Sequence, residues 1–223
     1  MRRLYLLLLL TVVSCGTIKY KSTTAENLPE LGTIGVFTNY LLEKDHQSKT
    51  VVTFSIPIRL SYKDISIKER ELFNKKDTLN TIPKDSTLIS FEILDKISLV
   101  KQINADAALL KYLTKASNYK LVTQVTIHFS DSVYSRIKKA DEVYLMQRKQ
   151  NTLTLELRKD NKTLDWVEFT DGAIVNFKAL EFCWGQNRRR DIEIFDLVKS
   201  GSNCGEDTYK SVKKVKKKNE FKF

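Results

Sequence analysis

Histidine, cysteine and glycine are scarce in this chain, at 2, 3 and 7 of 223 residues, and each shortage removes a class of chemistry. His46 lies in a polar connection and His128 on the polar side of an alternating run, so they make no metal pair. Neither Cys183 nor Cys204 has a close second cysteine or histidine to complete a zinc ligand set. No GxSxG, HExxH, GxxxxGK or GxGxxG string occurs. Gly32-Thr33-Ile34-Gly35 lacks both the third glycine and a following helix, so a phosphate-cradling loop has no support. No metal and no cofactor is therefore expected. A membrane-spanning run is missing from the N-terminus as well. Leu4 to Val13 is ten largely apolar residues, about 15 Å of helix, half of the ~30 Å hydrocarbon core that a retained span must cross. What is present is an ordinary globular composition, 42% apolar and 29% charged, which argues against wholesale disorder.

The first fifteen residues, MRRLYLLLLLTVVSC, pass from two arginines through that apolar stretch to Ser14 and Cys15, the charged, greasy, small-residue order of a secretory signal. The close of the series, Val12-Val13-Ser14-Cys15, resembles a bacterial lipobox. The resemblance implies a signal peptide over residues 1–14, cleavage before Cys15, a diacylglycerol on its sulfur and an acyl chain such as palmitate on the new amino group. Gly16 follows the cysteine. Lipoproteins kept at the inner membrane of enteric bacteria often carry aspartate there, so the pattern resembles an outer-membrane address. Residues 16–24 hold Lys19 and Lys21 and no acid, unlike the acidic surface-export signal of some Bacteroidota lipoproteins. The expected place is therefore the cell envelope, at the periplasmic face of the outer membrane.

Removing residues 1–14 leaves 209 residues and lowers the formal charge from +11 to +9, because Arg2 and Arg3 leave with the signal. Residues 210–223 alone hold seven lysines against one glutamate, so most of the excess belongs to a lysine-rich tail, residues 206–223. With Cys15 assigned to lipid, Cys183 and Cys204 remain as an even pair outside the reducing cytosol and are the disulfide candidates. The alternative is two buried thiols.

The pattern along the mature chain divides it into a lipidated cysteine and flexible tether (15–30), one α+β domain (31–205) and the tail. Thr33 to Leu42 is a plausible strand. Val52 to Tyr62 alternates Val52, Phe54, Ile56, Ile58, Leu60 and Tyr62 with polar residues, a strand buried on one face. Pro57 would remove a ladder donor there, which predicts an edge strand or a bulge. Asn104 precedes Ala105, Ala108, Leu109, Tyr112, Leu113 and Ala116 at helical spacing and reads as the N-cap of the one principal amphipathic helix. Gln150-Asn151, Asp160-Asn161 and Asp171-Gly172 punctuate residues 141–184 into a four-strand antiparallel meander. The last of these carries a type I′ signal. Asp191 to Lys199 reads as a short closing helix. The sum is mainly antiparallel sheet with one helix on its apolar face, and a small closed or half-closed barrel is the alternative.

Candidate sites are few. Phe182 to Asp191 sets three arginines, Arg188, Arg189 and Arg190, beside Trp184 in a loop expected to be tied by the cysteine pair. Guanidinium groups grip phosphate or carboxylate bidentately, so this is the best internal anion- or partner-binding candidate. Lys213, Lys214, Lys216, Lys217 and Lys218 form a second one. The lipid address argues against nucleic acid and for an anionic surface or an acidic envelope protein. Asp165, Glu168, Asp171 and Glu181 crowd one expected hairpin and would be the acid and base of a hydrolase; solvated turns carry the same residues. His128 with Cys183 would form a thiol dyad only if Cys183 were exposed and of lowered pKa. The leading expectation is a lipid-anchored, non-enzymatic envelope protein that binds a partner or organises a complex. The alternatives are a hydrolase of cell-wall or polysaccharide substrates and a carrier of an apolar ligand.

Overall fold

The computed structural model describes residues 28–36, 54–65, 87–115, 118–149 and 152–220. Cys15, the signal, nearly all of the tether, most of the first expected strand, the Gln150-Asn151 turn and residues 221–223 lie outside the described residues. Strands β1 (Ile34–Val36), β2 (Ile58–Asp64), β3 (Leu88–Ile93), β4 (Tyr119–Phe129), β5 (Glu142–Lys149), β6 (Thr152–Lys159), β7 (Lys162–Glu168), β8 (Gly172–Gln186) and β9 (Ile192–Lys199) form one antiparallel sheet. Its order is β7-β6-β5-β2-β3-β4-β8-β9, with β1 paired to β4. Period-two alternation aligns the apolar residues into rows across the strands. Val167, Leu155, Leu145 and Ile58 make one row, Leu157, Val143, Leu60 and Ile93 the next, and Ile89, Ile127 and Ile174 another. These rows face helices α1 (Lys96–Ala105) and α2 (Ala107–Leu113), which contribute Leu99, Ile103, Leu109 and Leu113 to the same core.

Four expectations change. β2 starts at Ile58, and it runs between β3 and β5 rather than at an edge. Pro57 sits just ahead of it, so the missing N–H interrupts no ladder. The backbone of Ile56 is satisfied by the buried Gln102 amide, which accepts from Ile56 N–H at 3.1 Å and donates to Ile56 O at 3.0 Å. The expected helix begins later, as α2 at Ala107, and a further helix, α1, precedes it; between them Asp106 leaves the helical region (φ −86°, ψ 93°) and caps α2 by accepting from Leu109 N–H. Helices this short are marginal in isolation; packing holds them, at about 1.5–3 kcal/mol for each fully buried leucine or isoleucine. Asn104 is not an N-cap. It lies at the end of α1, where its amide donates to Ile194 O (2.7 Å) and accepts from Ile194 N–H (3.0 Å). Asp191 to Lys199 is mostly strand β9 rather than helix.

The meander has three strands, not four. Asp160 and Asn161, at φ 50° and 59°, turn β6 into β7 as a two-residue hairpin. Asp171-Gly172 does not repeat that turn. Phe169–Asp171 is a single tight 3₁₀ turn, and β8 pairs with β4 and β9 instead of β7. Six flat strand spacings, roughly 29 Å, would separate β7 from β8, whereas a three-residue link reaches at most about 15 Å. The sheet must therefore curl. Among the described residues it does not close, and β7 and β9 remain at its ends, unlike a closed barrel. Gly172 is extended (φ −141°) and is needed for space: an added Cβ would lie 2.6 Å from Ile127 Cγ2 and 2.7 Å from His128 O.

Both sheet ends are capped by side chains. Asn104 does for β9 what a neighbouring strand would do. At β7, Arg136 on α3 (Asp131–Ile137) pairs with Asp165 and donates to Trp166 O, while Asp165 accepts from Trp166 N–H. Such capping blunts edge-to-edge association.

Candidate functional site

The last third of β8 carries the sequence candidates. β4 stops pairing at Glu181, so the β8 edge beyond it is open. The chain returns after β9 and fills that edge: Trp184 N–H donates to Tyr209 O and Tyr209 N–H to Trp184 O, both at 2.8 Å. A disulfide joins Cys183 to Cys204, with Cα atoms 5.7 Å apart. The returning segment then holds Glu181 through Lys210 (2.7 Å), opposite Lys120 (3.1 Å). Burial raises the Glu181 pKa, but hydrogen bonds from Lys210, Lys120 and Ser200 outweigh it and leave the carboxyl below its ordinary range.

Trp184 is 2% exposed, packed against Phe182 and part of the main core, so it offers no surface to a ligand. That corrects its place in the candidate set. Arg188, Arg189 and Arg190 are exposed in the β8–β9 loop. Asn187 builds the loop: its Oδ1 accepts from Arg189 N–H and Asp191 N–H at 2.9 Å, and its backbone carbonyl accepts from Arg190 N–H. Arg190 takes the left-handed conformation at φ 68°. The arginines therefore project from an ordered turn, and among the described residues no carboxylate pairs with them. Sequence reading missed Asn187, although asparagine is a turn residue whose side chain accepts from the backbone N–H two residues on, as it does here from Arg189.

The segment expected as a lysine-rich tail holds helix α4 (Val212–Glu220). Val212 and Val215, each 4% exposed, pack into the core, while Lys213, Lys214, Lys216 and Lys217 are exposed. Lys218 lies in the same helix. The spacing Val-Lys-Lys-Val was the available signal: two apolar residues three apart lie on one helical face.

The four carboxylates do not converge. Asp165 pairs with Arg136, Glu168 with Lys149, and Asp171 accepts from Glu168 N–H in a capping box. Glu181 lies ten residues along β8 from Asp171, a separation of about 30 Å at strand rise. The Arg136 hydrogen bond holds Asp165 below its usual pKa, and the Lys149 hydrogen bond does so for Glu168. A general acid needs the opposite shift. Cys183 is consumed by the disulfide, which removes the His128 dyad. The deepest carboxylate is Glu156 on the sheet face opposite the core rows, 3% exposed, paired with Arg158 at 2.7 Å and accepting from Thr163. Burial raises its pKa, yet the Arg158 and Thr163 hydrogen bonds leave it lowered. Arg158 also stacks 4.2 Å over Tyr144, so this group is locked into the outer face.

No protein-family model matches the chain, and neither a curated protein nor a solved structure matches it.

Proposed function

We propose that this chain is a lipid-anchored protein of the bacterial cell envelope with a non-enzymatic task, holding an acidic protein partner through the arginine loop of its domain. The anchor rests on the likeness of Val12-Val13-Ser14-Cys15 to a lipobox. The observation that carries the binding role is the division of charges. Asp165, Glu168, Glu181 and Glu156 are engaged in ion pairs and Cys183 in a disulfide, while Arg188, Arg189 and Arg190 stand exposed on an ordered turn without a partner among the described residues. Pre-ordering the turn lowers the cost of association, and guanidinium groups fit carboxylates two bonds at a time.

Cross-linking in intact cells tests this directly. Wild-type protein should give a reproducible neighbour, and replacing the three arginines by alanine should remove that neighbour while the protein stays in the membrane fraction. Cys15→Ala should abolish lipid labelling. A neighbour that persists without the arginines rules out the loop, and labelling that persists without Cys15 rules out the anchor.

A further inference from the structure

Glu181, which holds the chain just ahead of the cationic helix, and the strand by which the chain enters the domain lie on one row of the sheet. Gly35 of β1 pairs with Lys120 of β4, and Lys120 pairs with Glu181 of β8. Two strand spacings of about 4.8 Å therefore separate the entering chain from Glu181, whose carboxylate holds Lys210 just ahead of α4. Cys15 stands 13 positions before Leu28, a reach of at most about 45 Å. A bilayer that held Cys15 would lie within range of α4.

Charge on α4 is arranged for such a surface. With Val212 and Val215 turned into the core, a turn of about 100° per residue puts Lys213, Lys214 and Lys217 on the opposite side and Lys216 on a flank. None of the four has a carboxylate partner among the described residues. The apolar side of α4 is spent on the domain itself, so it offers charge and no apolar patch. Protein interfaces deplete lysine and need a buried apolar centre, whereas an anionic headgroup layer needs only the charge. The arginine loop begins six residues further along β8, about 20 Å away at strand rise, and so remains available to another partner.

We infer that α4 rests against the anionic phosphate headgroups of the bilayer that carries the N-terminal lipid, giving the domain a second point of attachment and a fixed orientation. The inference rests on the anchoring reading above. Full-length protein is combined with vesicles of phosphatidylcholine alone and of phosphatidylcholine with phosphatidylglycerol. Flotation reads the anchor, and brief acylation by a water-soluble ester, resolved by peptide mass spectrometry, reads each lysine. The protein should float with both vesicle types. Lys213, Lys214 and Lys217 should react about fivefold more slowly on the anionic vesicles, the weight of one lysine near such a surface, Lys216 on the flank should be protected as well, and exposed Lys159 at the β6–β7 turn should be unchanged. Molar salt, which shortens the screening length to about 3 Å, should erase the difference. A K213E/K214E/K217E variant should still float and should lose the protection of Lys216. Equal reactivity on the two vesicle types overturns the inference, and so does equal protection on both, as a contact with another protein molecule would give. Flotation with anionic vesicles alone, together with protection of the same lysines, would refute the anchor and support the role of α4.

Discussion

Removing the Asn104 amide should unseat α1 from the edge of β9, and the size of the effect follows from the bonds it makes. Trp184 and Ile194 face each other across β8 and β9, but Trp184 spends its N–H and C=O on Tyr209. Ile194 correspondingly points its own pair away from β8, and Asn104 meets both at 2.7 and 3.0 Å across 90 residues of chain. Each neutral hydrogen bond contributes about 0.5–1.5 kcal/mol net, and a buried backbone group left unsatisfied costs about 1–3 kcal/mol. Because Ile194 is 2% exposed, Asn104→Ala should lose about 2–4 kcal/mol. Asn104→Asp keeps the acceptor but sets a carboxylate oxygen against Ile194 O, so it should lose at least as much as alanine. For a domain of this size each kcal/mol is worth about 2–4 °C in Tm. Urea denaturation should show a lower midpoint with the slope unchanged, and amide exchange should accelerate at Ile194 N–H. Lys101→Ala, an exposed change on the same helix, should stay within about 0.5 kcal/mol. An Asn104→Ala loss below about 0.5 kcal/mol, with Ile194 still protected, would refute the edge-capping argument.

Three further outcomes are expected. Replacing Cys204 by serine opens a loop of 21 residues' separation and should cost about 3 kcal/mol by loop entropy; urea midpoints under non-reducing conditions measure it, and a loss under about 1 kcal/mol would put the returning segment's hold in its other contacts. Gly172→Ala should destabilise by about 2–3 kcal/mol through overpacking, whereas Gly201→Ala, at φ 87° with nothing within 4 Å of the added atom, should cost only about 1 kcal/mol of backbone preference; reversal of that order in thermal melts would contradict the assignment of space to one glycine and conformation to the other. Asp165, Glu156 and Glu181 all have folded pKa values below the ordinary carboxylate values of 3.8, 4.5 and 4.5. The unfolded chain therefore binds protons first as pH falls, so their contribution is complete above those values and is lost as pH drops through the lower folded ones. Near-ultraviolet circular dichroism during acid titration should show this loss, and Glu156→Gln should flatten it; an unchanged slope would remove Glu156 from the linkage.

What could be read from sequence was what local chemistry decides. Asp160-Asn161 is legible because both residues tolerate positive φ, and the structure uses that tolerance. Asp171-Gly172 looks like the same signal, but Gly172 answers to Ile127 and Phe129 more than forty residues earlier, a contact no local window contains. Asn104 matches an N-cap by residue type, yet its amide serves β9. The cysteine pair could be found by counting, once the lipobox resemblance had set Cys15 aside and left one pairing to expect, and the structure has that pairing. Trp184 could not be placed, since its backbone partner, Tyr209, arrives from beyond the expected domain end. Arg188 to Arg190 were legible as a charge cluster, while the order of their turn depends on Asn187 accepting from two backbone N–H groups.

β8 explains why the two cationic features belong to one rigid body. Its 15 residues outrun β4, so the edge from Phe182 onward would expose backbone donors and acceptors if the chain ended after β9. The returning segment closes that edge by the Trp184–Tyr209 bridge, is fastened by the Cys183–Cys204 disulfide, is paired at Glu181–Lys210 and ends with Val212 and Val215 in the core. A solvated tail would need none of these contacts, and a tail held only by charge would detach as salt rises. Four attachments of different chemistry fix α4 to the same strand whose end presents Arg188 to Arg190. Any surface that α4 contacts therefore sets the direction in which the arginine loop points.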